Sequence, residues 1–500
     1  MYETIKKEAK TNLELNVDEV MQNAFEAFNQ YKKVSSAKRA IFLETMADEI
    51  EKGREELVKT AHDESHLPVA RLNGELTRTT RQLKMFASLI TEGSWVEASI
   101  DTTDAALTPA KPDLRKMLIP VGPVIVFGAS NFPFAFSTAG GDTASALASG
   151  SSVVIKGHSA HANTSALMFS AMQKAIDKSG VPQHTVQHVM GSGNTVGKAL
   201  VMHPLAKGVG FTGSFAGGKA LVDYSNGREV PIPVFAEMSS INPVVFYPDA
   251  VTQNKEALAV QYSGSITMGV GQFCTNPGIL LGLKSEAFQN FLSLLGKEIS
   301  KVQPQKMLHK GICDSYQKGV AQMLNQQGLQ VVAQSSEEAG EGEGVPLLAS
   351  VNGEQFLQNL YLTEEVFGPY SLAVICDDKE QLKRALQSLK GQLTTTIIAS
   401  DKDVEEFADV IELQQTLAGR ILLNGAPTGV EVCASMVHGG PYPATTDARF
   451  TSVGTTAIKR WVRPLCLQGF TQKMLPGELK NENPLGILRL VNNNYTREAI

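Results

Sequence analysis

Leu118–Phe136 reads LIPVGPVIVFGASNFPFAF. It is the longest apolar run in the chain and is long enough to span a bilayer, so its reading decides the fold. Three prolines (Pro120, Pro123, Pro133), two glycines (Gly122, Gly128), Ser130 and Asn131 interrupt it. Those breaks suit a short buried strand over Val124–Phe127, followed by a loop, better than a membrane helix. No membrane association is expected.

Outward from that strand, short apolar runs recur at Val153–Ile155, Val186–Met190, Gly208–Phe211 and Pro233–Ala236. Small-residue or amphipathic segments such as TAGGDTASALASG and ANTSALMFSAMQKAIDKSG separate them. Strands alternating with helices imply βαβ units and an α/β fold, with a parallel sheet covered on both faces. A second region of the same rhythm runs from about Val244 to Trp461. Its strand candidates are Gly278–Gly282, Ser371–Ile375, Thr395–Ala399 and Arg420–Leu423. Upstream, Val17–Leu89 carries apolar residues at helical spacing among many charges, as surface helices do. Ser99–Met117, polar and containing Pro109 and Pro112, reads as an extended arm, and Cys466–Ile500 as loop-rich.

At 500 residues and 43% hydrophobic, the chain exceeds what one core accommodates, so two or more domains are expected. Net charge is −6 and the basic residues are scattered, which argues against nucleic acid. The five cysteines (Cys274, Cys313, Cys376, Cys433, Cys466) lie far apart without a CxxC pair. That argues against both a disulfide framework and a structural zinc site, favours a reducing compartment, and leaves no metal expected. The N-terminus, MYETIKKEAKTNLELN, lacks the apolar core of a secretory signal, so a cytoplasmic protein is expected.

Several residues carry candidate chemistry. Glycines follow two strands, as Gly191-Ser-Gly193-Asn-Thr-Val-Gly197 and as Gly213-Ser-Phe-Ala-Gly217-Gly218. At strand-to-helix turns they permit a tight bend and let a pyrophosphate approach backbone N–H groups. Lys156 follows the strand SVVI, at the edge where α/β sheets bind ligands. Cys274, in MGVGQFCTNPG, sits between an aromatic and Thr-Asn in a glycine-rich turn, unlike a core cysteine. A nucleophilic thiol needs activation, and Glu237, at another strand end, is a candidate base. Asn131 could supply an amide N–H to a developing oxyanion. Taken singly, each is as well explained as a surface glutamate, a turn asparagine or an inert cysteine.

The combination is more specific. GASNFPF, VVIK, FTGS, AEMSSINP, GQFCTNPG and EEVFGP, in this order and spacing, resemble the aldehyde dehydrogenase superfamily from about Asn23 to Arg463. VVIKGHSAH, the stretch Met436–Thr455 and LPGELKNENPLGILR resemble its NADP-dependent branch of fatty-aldehyde and 2,5-dioxopentanoate dehydrogenases. The resemblance implies two Rossmann-like parallel-sheet domains and a small oligomerisation arm. Residues 1–98 and 120–241 would bind nucleotide, and 242–462 would form the catalytic domain. Residues 99–119 and 463–500 would form the arm and C-terminal segment of a homo-oligomer, most simply a dimer.

By the same resemblance, Cys274 is the nucleophile, Glu237 the general base and Asn131 the oxyanion asparagine. Lys156 holds the adenosine ribose, Ser214 contacts the pyrophosphate, and Glu365 with Phe367 grips the nicotinamide ribose. Gly191, Gly193 and Gly213 join the cofactor site. The reaction implied is oxidation of an aldehyde to a carboxylic acid through a thiohemiacetal and thioester on Cys274. Two departures stand out. Ser239 and Ser240 replace the glycines that usually follow the base. Ser159 stands where NAD-preferring members commonly carry a glutamate, and a hydroxyl can donate to a 2′-phosphate that a carboxylate would repel. NADP is therefore expected, with NAD tolerated.

Phe132, Phe136 and Phe273 are candidates for an apolar substrate channel, with core packing the rival account. His438, in MVHGGP, is expected near the substrate entrance, where it assists proton movement or serves as a hydrogen-bonded structural histidine. The expected substrate is 2,5-dioxopentanoate, oxidised to 2-oxoglutarate, with medium- or long-chain aldehydes as the alternative. Its carboxylate needs a cationic or amide-rich pocket, for which Arg449, near the HGGP segment, is a candidate. A CoA-acylating dehydrogenase or a glutamyl-phosphate-type reductase is disfavoured by the presence of Glu237. A non-catalytic family member is disfavoured by the intact Cys274, Glu237, Asn131 and Lys156.

Overall fold

The computed structural model describes residues 2–500; Met1, where the N-terminal reading begins, lies outside them. Four helices open the chain: α1 (Tyr2–Tyr31), α2 (Ser36–Lys52), α3 (Arg54–Ser65) and α4 (Val69–Glu92). The Ser35 hydroxyl accepts the Lys38 N–H and starts α2, while Gly93, with φ +85°, ends α4 in the left-handed cap glycine adopts without strain. The strands β1 (Ser99–Asp101) and β2 (Leu114–Pro120) form the arm. Among the described residues, no helix is long and apolar enough to cross a membrane.

The opening apolar run becomes β2, then β3 (Val124–Phe127), then a loop. The chain continues through β4 (Val153–Lys156), β5 (Val186–Val189), β6 (Gly208–Thr212) and β7 (Val234–Glu237). These five strands form one parallel sheet in the order β5-β4-β3-β6-β7. From β3 the chain moves outward to one side, then returns across it to build the other, so the switch point lies between β3 and β6. Ligands of open α/β sheets bind beyond the carboxyl ends at such a point. Asn131, Lys156, Gly191, Gly213 and Glu237 all lie at those ends. The sheet is sealed on one face by Leu43, Leu83, Phe86 and Met172 of the flanking helices, and on the other by Met21, Leu200 and Leu221.

The second half adds β8 (Val244–Phe246), β9 (Ile279–Leu283) and a two-stranded ribbon of β10 (Gln305–Lys306) with β12 (Glu343–Gly344). Then come β11 (Gln330–Gln334), β13 (Leu347–Asn352), β14 (Tyr370–Cys376), β15 (Gln392–Ile398) and β16 (Ala418–Leu423). Seven of these make a sheet in the order β11-β13-β14-β9-β8-β15-β16, parallel apart from the edge strand β11. The apolar-run reading overlooks β13 because LLASVN interleaves small and polar residues, yet five of its six residues are buried.

The C-terminal stretch is more regular than its loop-rich composition suggests. β17 (Val462–Gln468), β18 (Arg489–Val491) and β19 (Asn494–Thr496) join the arm as β17-β2-β1-β18-β19. β17 contains Pro464 and alternates half-buried with exposed residues, a pattern that an edge strand accommodates.

Candidate active site

The loop bearing Cys274 is shaped by its backbone. Gly269, Val270 and Gly271 all have positive φ (55°, 58° and 63°), and the β-branched Val270 is strained there. A Cβ on Gly271 would lie 2.3 Å from the Gly368 backbone, so only glycine fits beneath the EEVFGP segment. Asn242, of the SSINP turn, donates its side-chain amide to the carbonyls of Cys274 and Asn276, each at 2.9 Å. The turn is thereby clamped, with Cys274 half-buried at the end of a cavity.

That cavity has a volume of about 250 Å³. Phe132, Phe136 and Phe273 form one wall, meeting edge to face with ring centroids 5.3 Å and 5.5 Å apart. Arg71, Glu75 and Arg78 of α4 also line it, as do Gly429 and Val430. Arg420 holds that last segment, donating to the carbonyls of Pro427 and Gly429 at 2.6 Å and 2.8 Å.

Glu237 is the last residue of β7 and is only 3% exposed. The segment 436–452 folds over it. The Met238 N–H donates to the Ala444 carbonyl at 2.8 Å, and the Ser452 hydroxyl donates to Glu237 Oε2 at 3.0 Å. His438 Nε2 lies 3.0 Å from Glu237 Oε1 and 3.5 Å from Cys274 Sγ. The sulphur, the imidazole nitrogen and a carboxylate oxygen all lie within 4.8 Å of one another. His438 is therefore not at the substrate entrance, as its sequence context suggests. It is fully buried between the Glu237 carboxylate and the Cys274 thiol, because the Thr451 hydroxyl accepts its backbone N–H at 2.8 Å and the Ser452 N–H donates to its carbonyl at 2.9 Å.

These contacts set the resting protonation states. Burial, reinforced by the negative charge of Glu237, pushes the Cys274 thiol well above its ordinary value. Burial pushes Glu237 upward too, but the adjacent His438 and the hydrogen bonds from His438 and Ser452 outweigh it. The carboxyl is held below its usual range. A neutral thiol thus faces an ionised acceptor. The Asn131 amide donates to the Gln272 carbonyl at 3.2 Å, which fixes its orientation and leaves a second N–H available.

The other expected residues fall into two groups. Lys156 is buried at the end of β4, where burial lowers its pKa, and its ammonium has no hydrogen-bond or ion-pair partner among the described residues. Ser159, Gly191, Gly193, Gly213 and Ser214 lie exposed beside the same sheet edge, and the Ser214 hydroxyl caps the helix Phe215–Asn226. Such an unpaired cation, with open glycine turns and a helix N-terminus, fits the phosphates and ribose of a dinucleotide. Glu365 and Phe367 line a separate crevice with Ser240, Ile241 and Phe273. Burial raises Glu365 to about 7, partly offset by the Ser239 hydroxyl and the Ser240 N–H. One expectation fails: Arg449 is exposed and paired with Asp447 at 2.6 Å, outside the cavity. Arg71, Arg78 and Ser452 escape the motif reading; the only signal for the arginines is their helical spacing in RLNGELTR.

Comparison with known proteins agrees with this geometry. The aldehyde dehydrogenase family model matches residues 3–442. The chain is 46% identical over 486 residues to an alpha-ketoglutaric semialdehyde dehydrogenase of Acinetobacter baylyi, covering 96% of this chain and 91% of the relative. It is 44% identical over 476 residues to alpha-ketoglutaric semialdehyde dehydrogenase 2 of Azospirillum brasilense, covering 95% and 91%. Among solved structures, glyceraldehyde-3-phosphate dehydrogenase GapN of Methanocaldococcus jannaschii, complexed with NADP, superposes with a TM-score of 0.77 at 18% identity, covering 91% of this chain and 94% of that one. PnpE in complex with nicotinamide adenine dinucleotide also gives 0.77, at 21% identity, covering 91% and 90%. Matched over most of its length in sequence and in fold, the chain belongs to the aldehyde dehydrogenase family.

Proposed function

We propose that the protein oxidises 2,5-dioxopentanoate to 2-oxoglutarate, using NADP in preference to NAD. The observation that carries this reading is the Cys274 thiol lining an aromatic-walled cavity, close to Glu237 and His438, with the Asn131 amide held against the same turn at the Gln272 carbonyl. The names of the relatives at 44% and 46% identity supply the substrate.

Each residue has a physical task. Glu237 takes the thiol proton, and the His438 Nε2–H donates to whichever of the two, carboxylate or thiolate, carries the charge. The thiolate attacks the aldehyde carbon, while the second Asn131 N–H and the Cys274 backbone N–H meet the oxyanion. A bound dinucleotide supplies the hydride acceptor for the oxidation. The acyl group is left as a thioester on Cys274. Glu237, having passed the thiol proton to solvent, then draws one from the water that hydrolyses the thioester and returns it to the departing sulphur, freeing the acid and the thiol. Lys156, Ser159, Ser214 and the glycine turns would hold the cofactor's adenosine and phosphate end, and Glu365 with Phe367 its nicotinamide ribose. Residues 1–98 and 120–241 would hold most of the nucleotide and also bring Asn131 and Glu237 to the chemistry, and 242–462 would bring Cys274 together with Glu365 and Phe367. The free edges β16 and β17 are where a homodimer would form, with Ile421 and Leu423 exposed on the former.

Initial rates with 2,5-dioxopentanoate and hexanal, each against NADP and NAD, test the reading. The expected result is the highest kcat/KM for 2,5-dioxopentanoate with NADP; a higher value for hexanal or longer aldehydes overturns the substrate. A second expectation comes from Glu365. Its carboxyl, at about 7, accepts ribose hydroxyls more strongly when ionised, so KM for the dinucleotide should fall as pH rises through 7. Glu365→Gln should flatten that profile.

A further inference from the structure

A thiol, an imidazole and a carboxylate placed together for proton transfer are also three metal ligands. Cys274 Sγ lies 3.5 Å from His438 Nε2, which lies 3.0 Å from Glu237 Oε1, and all three fall within 4.8 Å of one another. No other group of three or more such ligands gathers this closely among the described residues. Local spacing does not announce the set, since His438 is 164 positions from Cys274 and 201 from Glu237.

Tetrahedral zinc, with Zn–S of about 2.3 Å and Zn–N and Zn–O of about 2.0–2.2 Å, holds its ligand atoms about 3.3–3.6 Å apart. The sulphur–nitrogen separation already has that value. The nitrogen–oxygen separation must open by about 0.3 Å, and the sulphur–oxygen separation close by about 1.2 Å at most. The Ser452 hydroxyl, donating to Glu237 Oε2 at 3.0 Å, orients the carboxylate as an outer partner does at metal sites. Thiolate and carboxylate together neutralise a dication, so the buried set carries no net charge once the thiol proton has passed to solvent. The donor set also selects the ion: sulphur, nitrogen and oxygen suit four-coordinate Zn²⁺, whereas Mg²⁺ and Ca²⁺ take six or more oxygens.

Two features keep such an ion exchangeable. With Nε2 on the metal the imidazole hydrogen moves to Nδ1, which is buried without a hydrogen-bond partner among the described residues. Lack of that outer partner costs about 10–100-fold in affinity. Arg71 and Arg78, lining the cavity in front of the sulphur, also oppose the approach of a free dication.

We propose that Cys274, His438 and Glu237 form an inhibitory zinc site, in which one ion holds the thiolate, Nε2 and the carboxylate at once. The site stands on geometry; its inhibitory effect rests on the reading of Cys274 as nucleophile and Glu237 as base, which the ion withdraws together. Zinc and aldehyde then exclude each other at the sulphur, and water completes the coordination.

The test uses the full-length enzyme without dinucleotide and cobalt(II), which occupies zinc sites and reports its ligands by absorption. The expected result is one Co²⁺ per chain, with a thiolate-to-cobalt charge-transfer band that Zn²⁺ abolishes and an excess of Mg²⁺ does not. Cys274→Ala should lose the band. Zn²⁺ should slow alkylation of Cys274 by iodoacetamide, EDTA should reverse this, and inhibition of 2,5-dioxopentanoate oxidation should be competitive with the aldehyde. His438→Ala and Glu237→Gln should each weaken Co²⁺ binding at least about 100-fold, since even an outer partner is worth about 10–100-fold. If His438→Ala does not fold, the nearly isosteric Glu237→Gln carries the comparison. The double variant Cys433→Ser, Cys466→Ser, which removes the exposed thiols, should bind Co²⁺ as wild type does. Unchanged Co²⁺ affinity in the His438 and Glu237 variants, or loss of the band with the exposed thiols, overturns the site. A band at one ion per chain with aldehyde oxidation unimpaired leaves the site standing and overturns Cys274 as the nucleophile.

Discussion

Cys274→Ala will abolish aldehyde oxidation, with kcat/KM falling by at least about 10⁴-fold. The magnitude follows from the absence of a substitute. The attacking atom must lie within reach of Glu237 on the turn against which the Asn131 amide is held, and Cys274 Sγ meets both conditions. Of the other cysteines, Cys313 and Cys376 are buried in the core of the second half, while Cys433 and Cys466 are exposed. The measurement is NADPH formation under single-turnover conditions, where wild type gives one equivalent per site and the variant none. Nucleotide affinity should be unchanged, because Lys156 and the glycine turns lie on the other sheet. A variant that retained even a tenth of the burst would sink the covalent mechanism.

Glu237→Gln separates the two halves of the reaction. Steady-state turnover should fall by about 10²–10⁴-fold, because Glu237 is the carboxylate whose oxygen lies within 4.8 Å of the sulphur, where the water must be activated. A slower burst of NADPH should persist, since thiolate attack and hydride loss need the base less than hydrolysis does, and acyl-enzyme should accumulate to a mass detectable on the intact protein. The sign of a second effect is also set. The carboxylate's charge holds the thiol pKa up, so its removal lowers that pKa. Alkylation of the variant by iodoacetamide should therefore begin at lower pH than in wild type. An alkylation profile displaced to higher pH would mean that Glu237 acts on the thiol chiefly as a proton acceptor. In wild type the carboxyl is held below its usual range, so loss of activity on acidification should begin below that range as well.

Much of this site is legible in one dimension, for a definite reason. In a parallel sheet every strand ends on the same edge, so a residue just after an apolar run is at the ligand-binding edge whatever the strand order. Asn131, Lys156, Gly191, Gly213 and Glu237 are readable on that ground. The Cys274 turn is readable because three successive positive φ angles demand glycine-rich sequence. The strands missed, such as Leu347–Asn352, are those whose residues are small or polar although the backbone is buried on both faces.

What the sequence alone determined is therefore the α/β alternation, the edge on which the candidate site lies, and the thiol, carboxylate and amide proposed to compose it. What only the tertiary structure decided is who stands next to whom. His438 meets Glu237 across 201 positions of chain, and Arg71 meets the Asn131 loop across 60. Arg449, near the same motif as His438, turns instead to solvent and Asp447. Helical spacing shows that Arg71, Glu75 and Arg78 share a face, but it is silent on what that face meets. Packing α4 against the loop after β3 puts the guanidinium groups of Arg71 and Arg78 on the aromatic wall of the cavity that Cys274 also lines.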